Sequence, residues 1–188
     1  MANEQGFEID ANSFNKELKK HQDLSRMASA GMFKGGLADA SEATVKYHTA
    51  AHLLLAALRK VLGDHVIQKG SNITAKRLRF DFAHKEKMTD QEKIQVEDMV
   101  NQVIKQDLPV TCEQMSLDQA RAKGAHGIFD AKYGEQISVY TIGDDKTYFS
   151  KEICGGPHVA RTGVLGYFKI QKEESSSSGV RRIKAILE

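Results

Sequence analysis

The stretch from Val45 to Leu62 constrains the fold more than any other. Its centre, AHLLLAALRK, is almost continuous Ala and Leu, both strong helix formers, and it ends at Gly63, a residue suited to closing a helix. A helix that is apolar nearly all round has to lie at the centre of a fold, with other elements packed about it. Yet His48 and His52 are built into its first turns. At i and i+4 the two imidazoles point the same way, one helical turn apart, and can grip a single metal ion.

A second segment complements the first. Cys154-Gly155-Gly156-Pro157-His158 offers a thiolate and a third imidazole across a tight turn, in which the two glycines remove steric bulk and Pro157 stiffens the approach. Three nitrogens and one soft sulfur suit zinc better than magnesium or calcium, which prefer oxygen. The competing reading is that His48 and His52 are partly buried core residues and Cys154 lies in an ordinary Gly-rich turn. A buried helix gains nothing from two imidazoles unless their ring nitrogens find partners, which favours the metal. Spacing leaves open whether such a site is structural or catalytic, because four protein ligands close a tetrahedral zinc and catalysis needs an open position. A metalloprotease-like hydrolase is disfavoured, since HTAAH lacks the glutamate of HExxH.

Around this helix the chain reads as mixed. Strand-like runs cover Val66 to Ile73 and Arg77 to Phe82, the second with Leu78, Phe80 and Phe82 on one face and Arg77, Arg79 and Asp81 on the other. Thr89-Asp90-Gln91-Glu92 has the form of a capping box, opening a second long helix that runs toward Pro109. A strand comes next at Val110 to Met115, then a short helix from Ser116. Further strands are expected near Ile137 to Ile142, Lys146 to Ile153, Val164 to Gln171 and Val180 to Leu187. Without regular βαβ alternation, the expected class is α+β, a mostly antiparallel sheet packed around the long buried helix. Glu173 to Gly179, with its run of serines, reads as a mobile loop or a polar lip.

Residues 1–41 read as a separate lead-in. Phe14 to Arg26 has the thin apolar stripe of an exposed helix, and Gly31, Gly35 and Gly36 interrupt any regular pattern between Ala28 and Ser41. A helical linker and a Gly-rich joint are therefore expected before a folded domain at 42–188. Met1-Ala2-Asn3-Glu4-Gln5 has neither the basic nor the apolar zone of a signal peptide, and the longest apolar run, Leu53 to Leu58, is far short of a membrane span. A cytoplasmic protein with no membrane partner is expected, with Cys112 and Cys154, the two cysteines, reduced unless a metal claims one. The formal charge of +2 neither demands nor excludes a nucleic-acid partner.

The motifs FKGGLAD, HTAAHLLLAALRKVLG, QKGS, RLRFDF, CGGPHVARTG and GVRRI resemble the editing domain of alanyl-tRNA synthetase and its free-standing homologues, from about Gly6 to the end. The resemblance implies the fold of the threonyl/alanyl-tRNA synthetase second additional domain. It also implies deacylation of tRNA(Ala) carrying serine or glycine, with Zn2+ at a catalytic centre of His48, His52, Cys154 and His158, and with Gln68 lining the amino-acid pocket. Nothing in the chain resembles the ATP-binding aminoacylation domain, so the rest of an alanyl-tRNA synthetase is an expected partner. Two departures stand out: the family often has threonine where this chain has Ala51 and Pro157, so two hydroxyls near the metal are absent.

Ester hydrolysis on this reading has water attacking the carbonyl beside the terminal adenosine, with Asp81 a candidate to orient an imidazole or the water. Lys69, Arg77, Arg79, Arg181 and Arg182, with Lys76 and Lys184, are the cations expected along RNA phosphates; the alternative for each is a solvated strand face. The rival function is a non-catalytic, zinc-stabilised RNA-binding module.

Overall fold

The computed structural model describes residues 15–17, 19, 37–127, 136–144 and 146–188. The chain divides into two compact units, Met1–Phe33 and Lys34–Glu188. In the first, residues 15–17 and 19 are helical and exposed, and the remainder of the helix expected from Phe14 to Arg26 lies outside the described residues, as do Gly31, Gly35 and Gly36 of the expected joint.

The second unit is built around helix α1, Glu42–Leu62. Ser41 caps its start by accepting from the Thr44 N–H, and the Gly63 N–H returns to the Arg59 carbonyl at its end. Gly63 takes φ 113°, a backbone that costs glycine little and other residues much. Residues 47–58 of α1 are all buried. Each fully buried leucine contributes about 1.5–3 kcal/mol, so Leu53, Leu54 and Leu58 together make α1 a main contributor to the core.

Two antiparallel sheets surround it. The first has the order β1-β2-β7-β6, from β1 (Gln68–Thr74), β2 (Arg77–Ala83), β6 (Phe168–Ser177) and β7 (Val180–Leu187). Leu78, Phe80 and Phe82 of β2 and Ile183 and Ala185 of β7 are fully buried, in one cluster with α1. Helix α2, Asp90–Gln106, opens on the capping box of Thr89 and Glu92 and packs on α1. The second sheet has the order β3-β4-β5, from β3 (Val110–Met115), β4 (Ile137–Gly143) and β5 (Tyr148–Ile153). The short helix α3, Leu117–Ala122, closes a smaller cluster of Met115, Ala120, Ile137, Val139 and Ile153. The α+β, antiparallel architecture is the one the sequence leads one to expect.

Two expectations are corrected. Glu173 to Ser177 form the end of β6 rather than a loop, and only the turn at Ser178 and Gly179 separates β6 from β7. The reason is cross-strand charge: Glu173 pairs with Arg181 and Glu174 with Lys184, with Lys172 of the same strand also on Glu174, so the acidic and serine run is held in the ladder. Residues Thr162–Leu165 form a 3-10 turn, so the strand expected from Val164 begins at Phe168. Among the described residues, no helix is long and apolar enough to cross a membrane.

Candidate metal centre

His48 and His52 project from α1; Cys154 follows β5 directly, and His158 lies four residues on, before the 3-10 turn. The returning segment is tied down along its length. The Cys154 N–H bonds to the Ser138 carbonyl, the Val110 N–H to the Ala160 carbonyl, and the Thr162 N–H to the Leu108 carbonyl. The buried Thr162 hydroxyl donates to the Val103 carbonyl at 2.8 Å and accepts from the Leu108 N–H at 2.8 Å. Arg161 pairs with Asp107 at the end of α2. Both halves of the cluster are therefore carried on fixed backbone.

The Nε2, Nδ1 or Sγ ligand atoms of His48, His52, Cys154 and His158 lie within 4.8 Å of one another, and the first three residues are buried. Each imidazole has its Nδ1 committed to an oxygen. His48 Nδ1 donates to the Pro157 carbonyl at 3.0 Å, and a carbonyl can only accept. His52 Nδ1 lies 3.0 Å from Glu152 Oε2. His158 Nδ1 lies 3.2 Å from Thr49 Oγ1, whose single proton goes to the Val45 carbonyl, so the imidazole donates. With each ring neutral, as a bound metal requires, these tautomers leave an Nε2 lone pair on all three imidazoles; without a metal, burial lowers the His52 pKa but Glu152 and Cys154 outweigh it and raise it to about 10.

This arrangement fits a metal ion. His158 Nε2 is buried with no hydrogen-bond partner among the described residues, a costly state for a polar atom with no other role. Cys154 Sγ is 3.4 Å from His48 Nε2, within the roughly 3.3–3.8 Å that neighbouring ligand atoms span around a tetrahedral zinc. Burial disfavours the Cys154 thiolate, but the surrounding imidazoles of His158, His48 and His52 outweigh it and bring the pKa to about 3, so the sulfur is a ready anionic donor. Burial likewise leads in holding His158 down at about 4, which keeps it neutral at physiological pH.

The two glycines of the loop are not equivalent. A Cβ on Gly156 would stand 2.3 Å from His48 Cε1, whereas one on Gly155 would meet nothing within 4 Å. Only Gly156 therefore serves the close approach expected of both. Ala51 is packed in the main core, and Pro157 contributes its carbonyl to His48.

The site also contains residues that the sequence motifs do not reveal. Glu152, on β5, supplies the carboxylate that touches His52; Asp81, the residue expected in such a role, makes a bidentate pair with Arg182 at 2.7 and 2.8 Å instead. Thr49 holds His158 from α1, and Tyr140 of β4 lies with its ring centroid 4.2 Å from that of His158. Burial and a hydrogen bond with Cys112 push the Tyr140 phenol up to about 12, so it stays protonated. The i−1 and i−2 positions around the ligands are the only sequence signal that points toward Glu152.

Gln68 opens β1 and lines a cavity of about 350 Å³ shared with Leu55, Lys151, Ser150 and Glu152. None of the four ligand residues lines this cavity; Glu152 is its link to His52. The cations expected on RNA separate into two groups. Arg181 and Arg182 are paired with Glu173 and Asp81. Lys69 is exposed; Arg77 and Arg79 are half-buried and in no ion pair among the described residues, Arg77 Nη2 donating to Asn72 Oδ1 at 3.2 Å while Arg77 Nη1 and Arg79 Nε are buried without a hydrogen-bond partner.

Comparison with known proteins decides the relationship. Residues 137–184 match the family described as threonyl and alanyl tRNA synthetase second additional domain. Over all 188 residues the chain is 60% identical to alanine-tRNA ligase of Treponema denticola, of which it covers 31%, and 57% identical to that of Treponema pallidum, of which it covers 30%. Along its whole length this chain is similar to part of alanine-tRNA ligase. The alanine-tRNA ligase of Borreliella burgdorferi is 58% identical over 187 residues. The chain spans about a third of the length of these curated relatives. The resemblance to alanyl-tRNA synthetase carried by the motifs is thus borne out by the alanine-tRNA ligase relatives and by the second-additional-domain match.

Proposed function

We propose that this chain is a zinc-dependent aminoacyl-tRNA deacylase that clears serine or glycine from tRNA(Ala), acting in the cytoplasm as the editing part of an alanyl-tRNA synthetase or as a free-standing editing protein. One observation carries the reading: in a relative of alanine-tRNA ligase, three imidazoles have Nδ1 committed elsewhere while Nε2 converges with a thiolate sulfur. The editing portion is residues 42–188, with 1–41 a helical linker and Gly-rich joint.

In the reaction, water oxygen bonds to the ester carbonyl carbon, the bond to the terminal ribose oxygen breaks, and that oxygen leaves with a proton. His48, His52, Cys154 and His158 would hold the zinc, which when bound would supply Lewis-acid polarisation and a fixed point for orienting the misattached amino acid. Gln68 would line the amino-acid pocket, as the resemblance implies, its amide offering both a donor and an acceptor; the cavity it lines reaches the ligand cluster through Glu152. Tyr140, protonated and packed against His158, narrows the approach and offers a hydroxyl. Lys69, Arg77 and Arg79 meet tRNA phosphates; Arg181 and Arg182 do so while shared with their carboxylate partners.

Cys154→Ala tests the reading. It abolishes both zinc retention and deacylation of seryl-tRNA(Ala); full activity without bound metal would sink the proposal. The second reading, a zinc-stabilised RNA-binding module, is favoured by a single feature, the four protein ligands that suffice to close a zinc tetrahedron. It predicts that metal removal unfolds the domain and that no charged tRNA is hydrolysed.

A further inference from the structure

We propose that Glu152 is the positioning residue of the metal centre, holding His52 in the tautomer and orientation that present Nε2 to the ion. The inference rests on reading the cluster as a metal site. Glu152 Oε2 lies 3.0 Å from His52 Nδ1, and both side chains are about 5% exposed or less. Its other oxygen, Oε1, accepts from the Ser150 hydroxyl at 2.7 Å, and Ser150 is itself buried. With both oxygens engaged, Glu152 is held in place and is not free to serve as a ligand or a base.

Charge argues for the same role. A buried carboxylate is costly unless a cation balances it, and His52 is the one ion-pair partner of Glu152 among the described residues. A divalent ion carries +2; the Cys154 thiolate and Glu152 bring −1 each, so a centre with three neutral imidazoles closes at zero. Of the three Nδ1 acceptors, Pro157, Thr49 and Glu152, only Glu152 carries charge. Its position also matters: Glu152 lies on β5 two residues before Cys154, so one strand carries a ligand and the group that orients another ligand on α1. A carboxylate behind a metal-bound imidazole fixes the ring and raises its basicity.

The experiment compares the full chain with Glu152→Ala, Glu152→Gln and Ser150→Ala. It measures zinc affinity by competition with a chromogenic chelator and the visible absorption bands of the cobalt-substituted site. Glu152→Ala weakens zinc binding by about 10–100-fold and shifts the cobalt bands. Glu152→Gln, which keeps an acceptor for Nδ1–H, restores the bands and part of the affinity. Ser150→Ala leaves the charge but frees one oxygen, and gives a smaller loss; it keeps the proposal testable if Glu152→Ala does not fold. Wild-type affinity and unchanged cobalt bands in the Glu152 variants would overturn the proposal. Failure of the wild-type chain to take up either ion would overturn the metal reading itself.

Discussion

Gly156 lies so close to His48 that a Cβ on it would stand 2.3 Å from the ring atom Cε1, closer than any real contact. The ligand loop can therefore reach α1 only with glycine at this position. Gly156→Ala is expected to displace His48 and cut zinc affinity by at least about 10-fold, as large an effect as removing a group that orients a ligand. Gly155→Ala, where the added methyl has open space, is the control and keeps its metal. Zinc content of the two purified variants checks the difference.

Thr49 is the second test of the geometry. Its hydroxyl receives His158 Nδ1–H and the Val159 N–H, joining the helix to the ligand loop. Thr49→Val keeps the shape but removes the acceptor. Zinc affinity should fall by about 10-fold or more, with about 1–3 kcal/mol lost from folding in a urea titration. Thr49→Ser should recover most of both. Equal zinc affinity in Thr49→Val and wild type would contradict the assigned tautomer of His158.

The central helix, the α+β class and the four clustered residues were legible in the sequence, and for one physical reason. An apolar helix with polar nitrogens at one-turn spacing cannot satisfy them locally, so a distant Cys/His segment has to arrive. What was not legible depends on pairing across strands. Glu152 and Asp81 are both acidic strand residues, and which of them faces an imidazole is set by sheet register, not by the local pattern. The same holds for Glu173 and Glu174: alone they read as a solvated loop, but in the ladder with β7 they form ion pairs with Arg181 and Lys184. The unequal burden on Gly155 and Gly156 is likewise set by how closely α1 approaches.

Acid sensitivity should appear at Asp107, which ties the end of α2 to the segment following His158. Hydrogen bonds, first from the Arg161 side chain and then from the Gly163 N–H, hold its carboxyl below the usual aspartate range. A depressed carboxylate stabilises the fold above the unfolded pKa of about 4 and loses that contribution as pH falls through the lower folded value. The melting temperature of wild type should exceed that of Asp107→Asn at neutral pH, and the gap should close below about pH 4. A gap that does not change with pH would contradict the ion-pair account.

On RNA, Arg77 and Arg79 should matter more than Arg182, whose guanidinium already holds Asp81 through two hydrogen bonds. Removing one cation from a phosphate lowers the slope of log affinity against log salt by about 0.7–0.9. Filter binding of tRNA(Ala) across a salt series should show that reduction in Arg77→Ala and Arg79→Ala. An unchanged slope in both would argue against the sheet face as an RNA surface.

Hydrolysis of seryl-, glycyl- and alanyl-tRNA(Ala) by the zinc-loaded chain, followed in parallel with its metal-stripped form, tests the central claim most directly. The account predicts rapid loss of serine or glycine, retention of alanine, and no loss of any of the three after stripping, with activity returning when zinc is restored. Zinc-loaded protein that binds tRNA(Ala) and leaves all three esters intact would contradict it.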